Sequence, residues 1–479
     1  MKFISTRGEA PALPFEGALL AALARDGGLY MPEAWPVLEP GTIAGLAGLD
    51  YADAAYRVMR PFLEDDACLP DLEPVLEEAY GSFHHPAAAP LRQIAPNSFM
   101  LELFHGPTLA FKDLAMQVVG RLMNRALMRK GARATVVGAT SGDTGAAAIE
   151  AFRGLEAIDI FILHPKGRIS DVQRRQMTTA VEDNVHNIAL EGTFDDCQAI
   201  VKALFGDASL RERLGLTGVN SINFARILAQ VPYYFTAAVS LGAPHRPVAF
   251  SVPTGNFGDI FAGYAAARMG LPVARLVIAT NLNDSLVRVL SSGVYEPRDV
   301  IATSSPSMDI QLASNFERLL FELAGRDSAR VGSLMDALRE TGTFRLTEAE
   351  LSAMRALFSA HAVGEHDTET TIRGLMEETG ILCDPHTAVA VAAARAEGGP
   401  DRIPMVVLST AHPAKFPEAV SRACGRAPEQ PERLRLRLGQ HERCVTLPND
   451  YAAVADFIAA QARAGGAAPS ARSRAEVRA

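Results

Sequence analysis

The chain has 479 residues, 48% hydrophobic and 21% charged, with a net charge of −9. This composition fits a water-soluble globular protein of about two or three domains, and the acidic balance argues against nucleic-acid or anionic-membrane partners. Five scattered cysteines, an odd number without C-x-x-C or histidine partners at metal spacing, argue against a disulfide framework or a metal site. The amino terminus MKFISTRGEA has no apolar signal core, and no run approaches the roughly 18 apolar residues of a membrane span. The chain reads as a reduced, cytoplasmic protein.

Residues 1–92 are helical in pattern and close on the proline-rich HHPAAAPLRQIAP, which reads as a domain boundary. A different rhythm then holds over 93–425. Apolar, β-branched runs alternate with helical stretches: ATVVGA (134–139), IDIFIL (158–163), VHNIAL (185–190), PVAFSV (247–252), ARLVIA (274–279) and IPMVVLS (403–409). Such runs are the mark of buried parallel strands, so the chain is α/β, with parallel-rich sheets flanked by helices and an extra, mainly helical amino-terminal domain. Residues 305–380 read as a helical insertion, 426–464 as a carboxy-terminal extension and 465–479 as a disordered tail.

One lysine stands out. Only six of the 46 basic residues are lysines, and Lys112 lies in the apolar LFHGPTLAFKDLAMQ. Where this chain needs a solvated cation it writes arginine, so the amine itself is wanted here. Two strand-to-helix turns are glycine-bracketed: Thr140-Ser141-Gly142-Asp143-Thr144-Gly145 and Thr254-Gly255-Asn256-Phe257-Gly258-Asp259. At the carboxyl ends of parallel strands such turns present free amides and a helix dipole to an anion. Neither has the spacing of a Walker A loop or of G-x-G-x-x-G. A buried lysine has a lowered pKa and an amine available for a Schiff base. With two anion turns, it makes a site for pyridoxal phosphate (PLP).

HGPTLAFKD, TSGDTG, PTGNFGD, NSINFARILAQVPYYF and STAHPAKF together resemble the threonine synthases, PLP enzymes of fold type II. So do STRG, DGGLYMPE, VQRRQMTT, SPSMDIQLASNFERL and CDPHTAV, in the family's order from residue 3 to 425. The length and separate amino-terminal segment resemble the longer bacterial and fungal class. The resemblance implies conversion of O-phospho-L-homoserine and water to L-threonine and phosphate. It implies that Lys112 carries PLP, that Gly255, Asn256, Phe257 and Gly258 hold its phosphate with Asp259 closing the turn, and that Thr410 meets the pyridine nitrogen. Ser141, Gly142, Asp143 and Thr144 would face the substrate carboxylate and the cofactor's 3′ oxygen.

The substrate brings a second phosphate, for which Lys415, then Arg226 and Ser221, are the candidate binders. His386 and His412 lack a metal-spaced partner, and Tyr233 and Tyr234 suit a core. A PLP phospho-lyase or serine/threonine dehydratase giving 2-oxobutyrate is the alternative within enzymes. A PLP-binding homologue without catalysis is the alternative outside them. With no appended regulatory domain in view, the expected form is a monomer with hinge closure.

Overall fold

The computed structural model describes residues 1–218, 222–398 and 402–464. Ser221 and the expected tail 465–479 lie outside them. In chain order the strands are β1 (Lys2–Ser5), β2 (Leu13–Pro14), β3 (Tyr30–Pro32), β4 (Leu91–Ala95), β5 (Ser98–Glu102), β6 (Ala134–Ala139), β7 (Ile158–Pro165) and β8 (Val185–Glu191). They continue with β9 (Leu216–Gly218), β10 (Val248–Pro253), β11 (Val273–Thr280), β12 (Val294–Tyr295), β13 (Phe344–Arg345), β14 (Phe358–Ala362), β15 (Met405–Ser409) and β16 (Val445–Pro448).

The chain divides into two compact units, Met1–Ala115 with Ser221–Pro431, and Met116–Asn220 with Glu432–Ala479. The first is built on a six-stranded sheet of order β14-β11-β10-β15-β5-β4, parallel except for the β4–β5 pair at one edge. Val277, Ala279 and Val407 from its strands pack against Val389 and Ala390 of the helix Pro385–Glu397 and Ile372 and Leu375 of Glu365–Thr379. Each aliphatic side chain so buried contributes about 1.5–3 kcal/mol, and coverage by helices is what a parallel sheet requires. The second unit holds the all-parallel sheet β16-β8-β7-β6-β9. There Phe161, Leu163 and Ile188 pack against Cys197, Ile200 and Leu204 of one helix and Val454 and Ile458 of another.

The six apolar runs are all strands, β6, β7, β8, β10, β11 and β15. The amino-terminal segment is less purely helical than its pattern suggests. To its helices it adds a three-stranded antiparallel sheet, β2-β1-β3. Residues 305–380 are mostly helix but also supply β14, an edge strand of the six-stranded sheet. Among the described residues no helix is long and apolar enough to cross a membrane. Nor does any group of His, Cys, Asp and Glu there suit a metal ion, and no two of the five cysteines are joined in a disulfide.

Candidate active site

Lys112 opens the helix Lys112–Arg129 and is 8% exposed. The turn before it is locked from both sides. Asp113 reaches back so that its carboxylate accepts from the Thr108 amide at 2.7 Å and the Thr108 hydroxyl at 2.8 Å. A Cβ on Gly106 would sit 2.4 Å from the Cβ of Asp113, so only glycine allows this closure. The turn also pairs with the segment after β15. The Phe111 amide donates to the Thr410 carbonyl at 2.8 Å, the His412 amide donates to the Leu109 carbonyl at 3.0 Å, and Ala110 forms an antiparallel bridge with Ala411. Lys415, 1% exposed, donates its amine to the Thr108 carbonyl at 2.7 Å. A surface role for Lys415 is therefore excluded. Buried Thr410 stands beside the Lys112 turn at the carboxyl end of the sheet.

The turn after β10 leads into the helix Gly258–Arg268, whose first amides have no partner in a preceding turn. No side chain caps this start. Phe257 reverses the chain with φ of 63°, a strained value for an aromatic residue. Its buried ring holds that conformation against Phe316 and Phe358, with centroids 5.3 and 5.9 Å away. A Cβ on Gly255 would lie 3.0 Å from the Ser307 carbonyl, and one on Gly258 would lie 3.3 Å from Asn315 Nδ2. The Ser307 segment is fixed in turn. His386 accepts from the Ser307 amide at 3.2 Å through Nε2, while its Nδ1 is 2.6 Å from Asp384. An uncapped helix start lined by close-packed glycines fits a phosphate.

Asp259 does more than close this turn. Its Oδ1 accepts from the hydroxyls of Tyr233 at 2.5 Å and Tyr234 at 3.0 Å, and its Oδ2 has no partner among the described residues. Burial pushes the carboxyl up to about 6, against the pull of the two hydroxyls and of the nearby Lys112 charge. The same burial, then the Asp259 charge, drives both tyrosines well above their ordinary value. The two tyrosines are thus core residues with a polar task.

A test of this ionisation follows from its sign. The carboxyl titrates at its ordinary 3.8 when unfolded and near 6 when folded, so stability falls as pH rises across that interval and stays lower above it. Two units correspond to about 3 kcal/mol at most. Asp259→Asn keeps an acceptor for the tyrosines and should be about 1–3 kcal/mol more stable than the parent at pH 8 but not at pH 4, as read by urea unfolding. Equal differences at the two pH values would remove Asp259 as the titrating group.

Arg226 lies on the short helix Phe224–Leu228 and is 5% exposed. A Cβ on Gly258 would be 3.6 Å from Ile227 Cδ1, so this helix borders the turn after β10. The Arg226 Nε and Nη1 have no partner among the described residues, and burial pushes the guanidinium down to about 10. His412 accepts from the Ala414 amide at 3.1 Å, and burial followed by the charges of His105 and His84 pushes it down to about 4. Both His386 and His412 are structural hydrogen-bonders.

The first unit thus gathers Lys112, Gly255–Asp259, Thr410, Lys415 and Arg226. The turn Thr140–Gly145 belongs to the other unit. There the Thr140 hydroxyl oxygen accepts from the amides of Gly142 and Gly145 at 3.0 and 2.9 Å. Asp143 is buried at a helix start without a side-chain cap, while Ser141 is exposed and Thr144 half-buried. Gln173 of VQRRQMTT donates to Asp143 Oδ1 at 3.0 Å, in space open only because residue 142 is glycine. Sequence reasoning singled out that motif, and SPSMDIQLASNFERL with Asn315, without assigning either a task.

Known proteins match this arrangement along the whole chain. Residues 2–80 match the model for the threonine synthase N terminus, 93–410 that for pyridoxal-phosphate dependent enzymes and 387–458 that for the threonine synthase C-terminal region. The chain belongs to the threonine synthase family. The threonine synthase of Pseudomonas aeruginosa is 53% identical over 97% of this chain and 99% of its own. A PLP-bound threonine synthase from Brucella melitensis has a TM-score of 0.95 at 54% identity, covering 97% of this chain and all of that one. The yeast enzyme follows at 0.92 and 39%, covering 96% and 98%. The fold is that of type II PLP enzymes, and the cofactor is PLP.

Proposed function

We propose that this chain converts O-phospho-L-homoserine and water to L-threonine and phosphate. The observation that carries the reading is the buried Lys112 amine, locked beside Thr410 and within electrostatic reach of the uncapped helix start at Gly258. When bound, PLP supplies the electron sink that lets protons leave the substrate's Cα and Cβ. The chain's residues do the rest. Lys112 holds the cofactor at rest and, once its amine is free, takes the Cα proton and later returns it. The amides of Gly255–Gly258 hold the cofactor phosphate, and the Thr410 hydroxyl meets the ring nitrogen. A neutral hydroxyl there leaves that nitrogen mostly unprotonated.

Ser141, Gly142 and Thr144 offer amides and hydroxyls to the substrate carboxylate. Asp143, held by Gln173, accepts from the cofactor's 3′ oxygen or from water. Arg226 and Lys415 bind the substrate phosphate, which leaves from Cγ as a proton leaves Cβ; water adds at Cβ only after a proton has returned to Cγ. Arg226 has the freer nitrogens, because the Lys415 amine already serves Thr108. Compartment and assembly follow the sequence reading, a cytoplasmic monomer, checked by light scattering for a single-chain mass.

Product analysis after incubation with O-phosphohomoserine tests the function. Threonine should appear in step with phosphate, and free homoserine should be left nearly untouched. Phosphate matched by 2-oxobutyrate would make the chain a lyase, and release of neither would make it a non-catalytic homologue.

A further inference from the structure

Arg318, in the helix Phe316–Leu323, is fully buried. A buried cation is costly unless its hydrogens are taken up, and the acceptors here are mainly neutral. Its Nη1 donates to Asn315 Oδ1, and its Nη2 donates to the Ile222 carbonyl and, at 3.4 Å, to the Tyr30 carbonyl. Its neighbour Glu317 serves another purpose, accepting from Thr6 at 2.5 Å and pairing with Arg7 at 3.0 Å. Burial therefore dominates, and pushes the Arg318 guanidinium down to about 9.

These acceptors share a theme. Asn315 passes the contact on, since its backbone amide and its Nδ2 both donate to the Asn256 carbonyl at 3.1 Å. In a trans peptide the carbonyl and the following N–H point in opposite directions within one plane. Pinning the Asn256 carbonyl toward Asn315 therefore aims the Phe257 N–H the other way. Ile222 precedes Asn223, whose side chain accepts from the Ala225 amide at 3.1 Å and so starts the helix that carries Arg226.

We propose that Arg318 is a positioning residue for the cofactor phosphate, acting through Asn315 on the peptide between Asn256 and Phe257. This rests on the reading of Gly255–Gly258 as the phosphate turn. Arg318 touches neither cofactor nor substrate. It fixes the direction of one amide, and its buried charge adds to the attraction that the helix start exerts on a dianion.

The experiment titrates PLP into the cofactor-free parent, Arg318→Met, Asn315→Ala, the double variant and Glu317→Gln, with 31P NMR of the bound phosphate and thermal unfolding on each. Turning the Phe257 amide off the phosphate forfeits one bond to an anion, which weakens binding by about ten- to a hundred-fold. Arg318→Met and Asn315→Ala should each raise the Kd for PLP by that factor and shift the phosphorus resonance. The double variant should be no worse than the weaker single, because both act on one path. Glu317→Gln should lower the Tm while leaving the Kd and the resonance unchanged. Unaltered PLP affinity in folded Arg318→Met overturns the proposal. If that variant does not fold, unaltered affinity in Asn315→Ala overturns it, and so does full additivity in the double variant. A parent that bound no PLP would overturn the cofactor reading as well, whereas unchanged variants of a PLP-binding parent overturn this proposal alone.

Discussion

A Lys112→Ala chain should fold, lose the visible absorbance of lysine-bound cofactor, and turn over substrate at less than about a thousandth of the parent rate. Two tasks vanish together, covalent attachment of PLP and proton transfer at Cα. A positioned acid–base group alone is worth about 10²–10⁴ in rate. Folding should survive, because Asp113, Thr108, Lys415 and the bridge to Ala411 hold the turn. Free PLP should still dock through its phosphate. Retained absorbance and rate in Lys112→Ala would sink the assignment.

Arg226→Met should trade activity for stability. Its Nε and Nη1 have no partner among the described residues and the side chain is buried, so those hydrogens await an acceptor that an arriving anion would supply. Replacing a charge in that state with an apolar chain of similar length should stabilise the protein by about 1–3 kcal/mol. The substrate phosphate then loses about two charge-assisted bonds, and kcat/KM should fall roughly a hundred-fold or more, with PLP affinity unchanged. Lys415→Ala should behave oppositely in stability, since its amine holds the Thr108 carbonyl. Urea unfolding and initial rates decide the matter. A destabilised Arg226→Met with normal kcat/KM would make Arg226 a structural residue.

The sheet was legible wherever strands are buried on both faces. VAFSVP and ARLVIA announce themselves because all but one position in each is apolar, Ser251 and Arg275 being the exceptions, and a glycine turn follows the first at its end. The strands that escaped are short, at edges or, like β5 with three of its five residues half-buried, only partly enclosed. β1 alternates, β2 and β3 have two and three residues, and β14 (FSAHA) follows directly on the helix Glu348–Leu357, whose pattern runs into it. Of the candidate site, the residues proposed to meet the cofactor carry their chemistry in their type and spacing. Those that aim them do not. Asn315 and Arg318 lie about 60 residues beyond the turn they brace, as expected of side chain–backbone bonds set by tertiary packing rather than spacing. Gln173 looks like any polar residue of a helix until the space above Gly142 is seen.

The strand order has a consequence for how the protein is made. In the central sheet β15 lies between β5 and β10, pairing in parallel with both, although β5 leaves the ribosome about 300 residues earlier, roughly 15–60 s at ordinary rates of synthesis. Until residues 405–411 emerge, the flank of β5 has no neighbour on that side, and the segment that pairs with the Lys112 turn does not yet exist. Lys112 is therefore translated early and enclosed late. If Lys112 is the residue that carries PLP, as proposed above, its amine waits unenclosed through most of synthesis, and the cofactor can be captured in its final geometry only after residues 405–411 have been made.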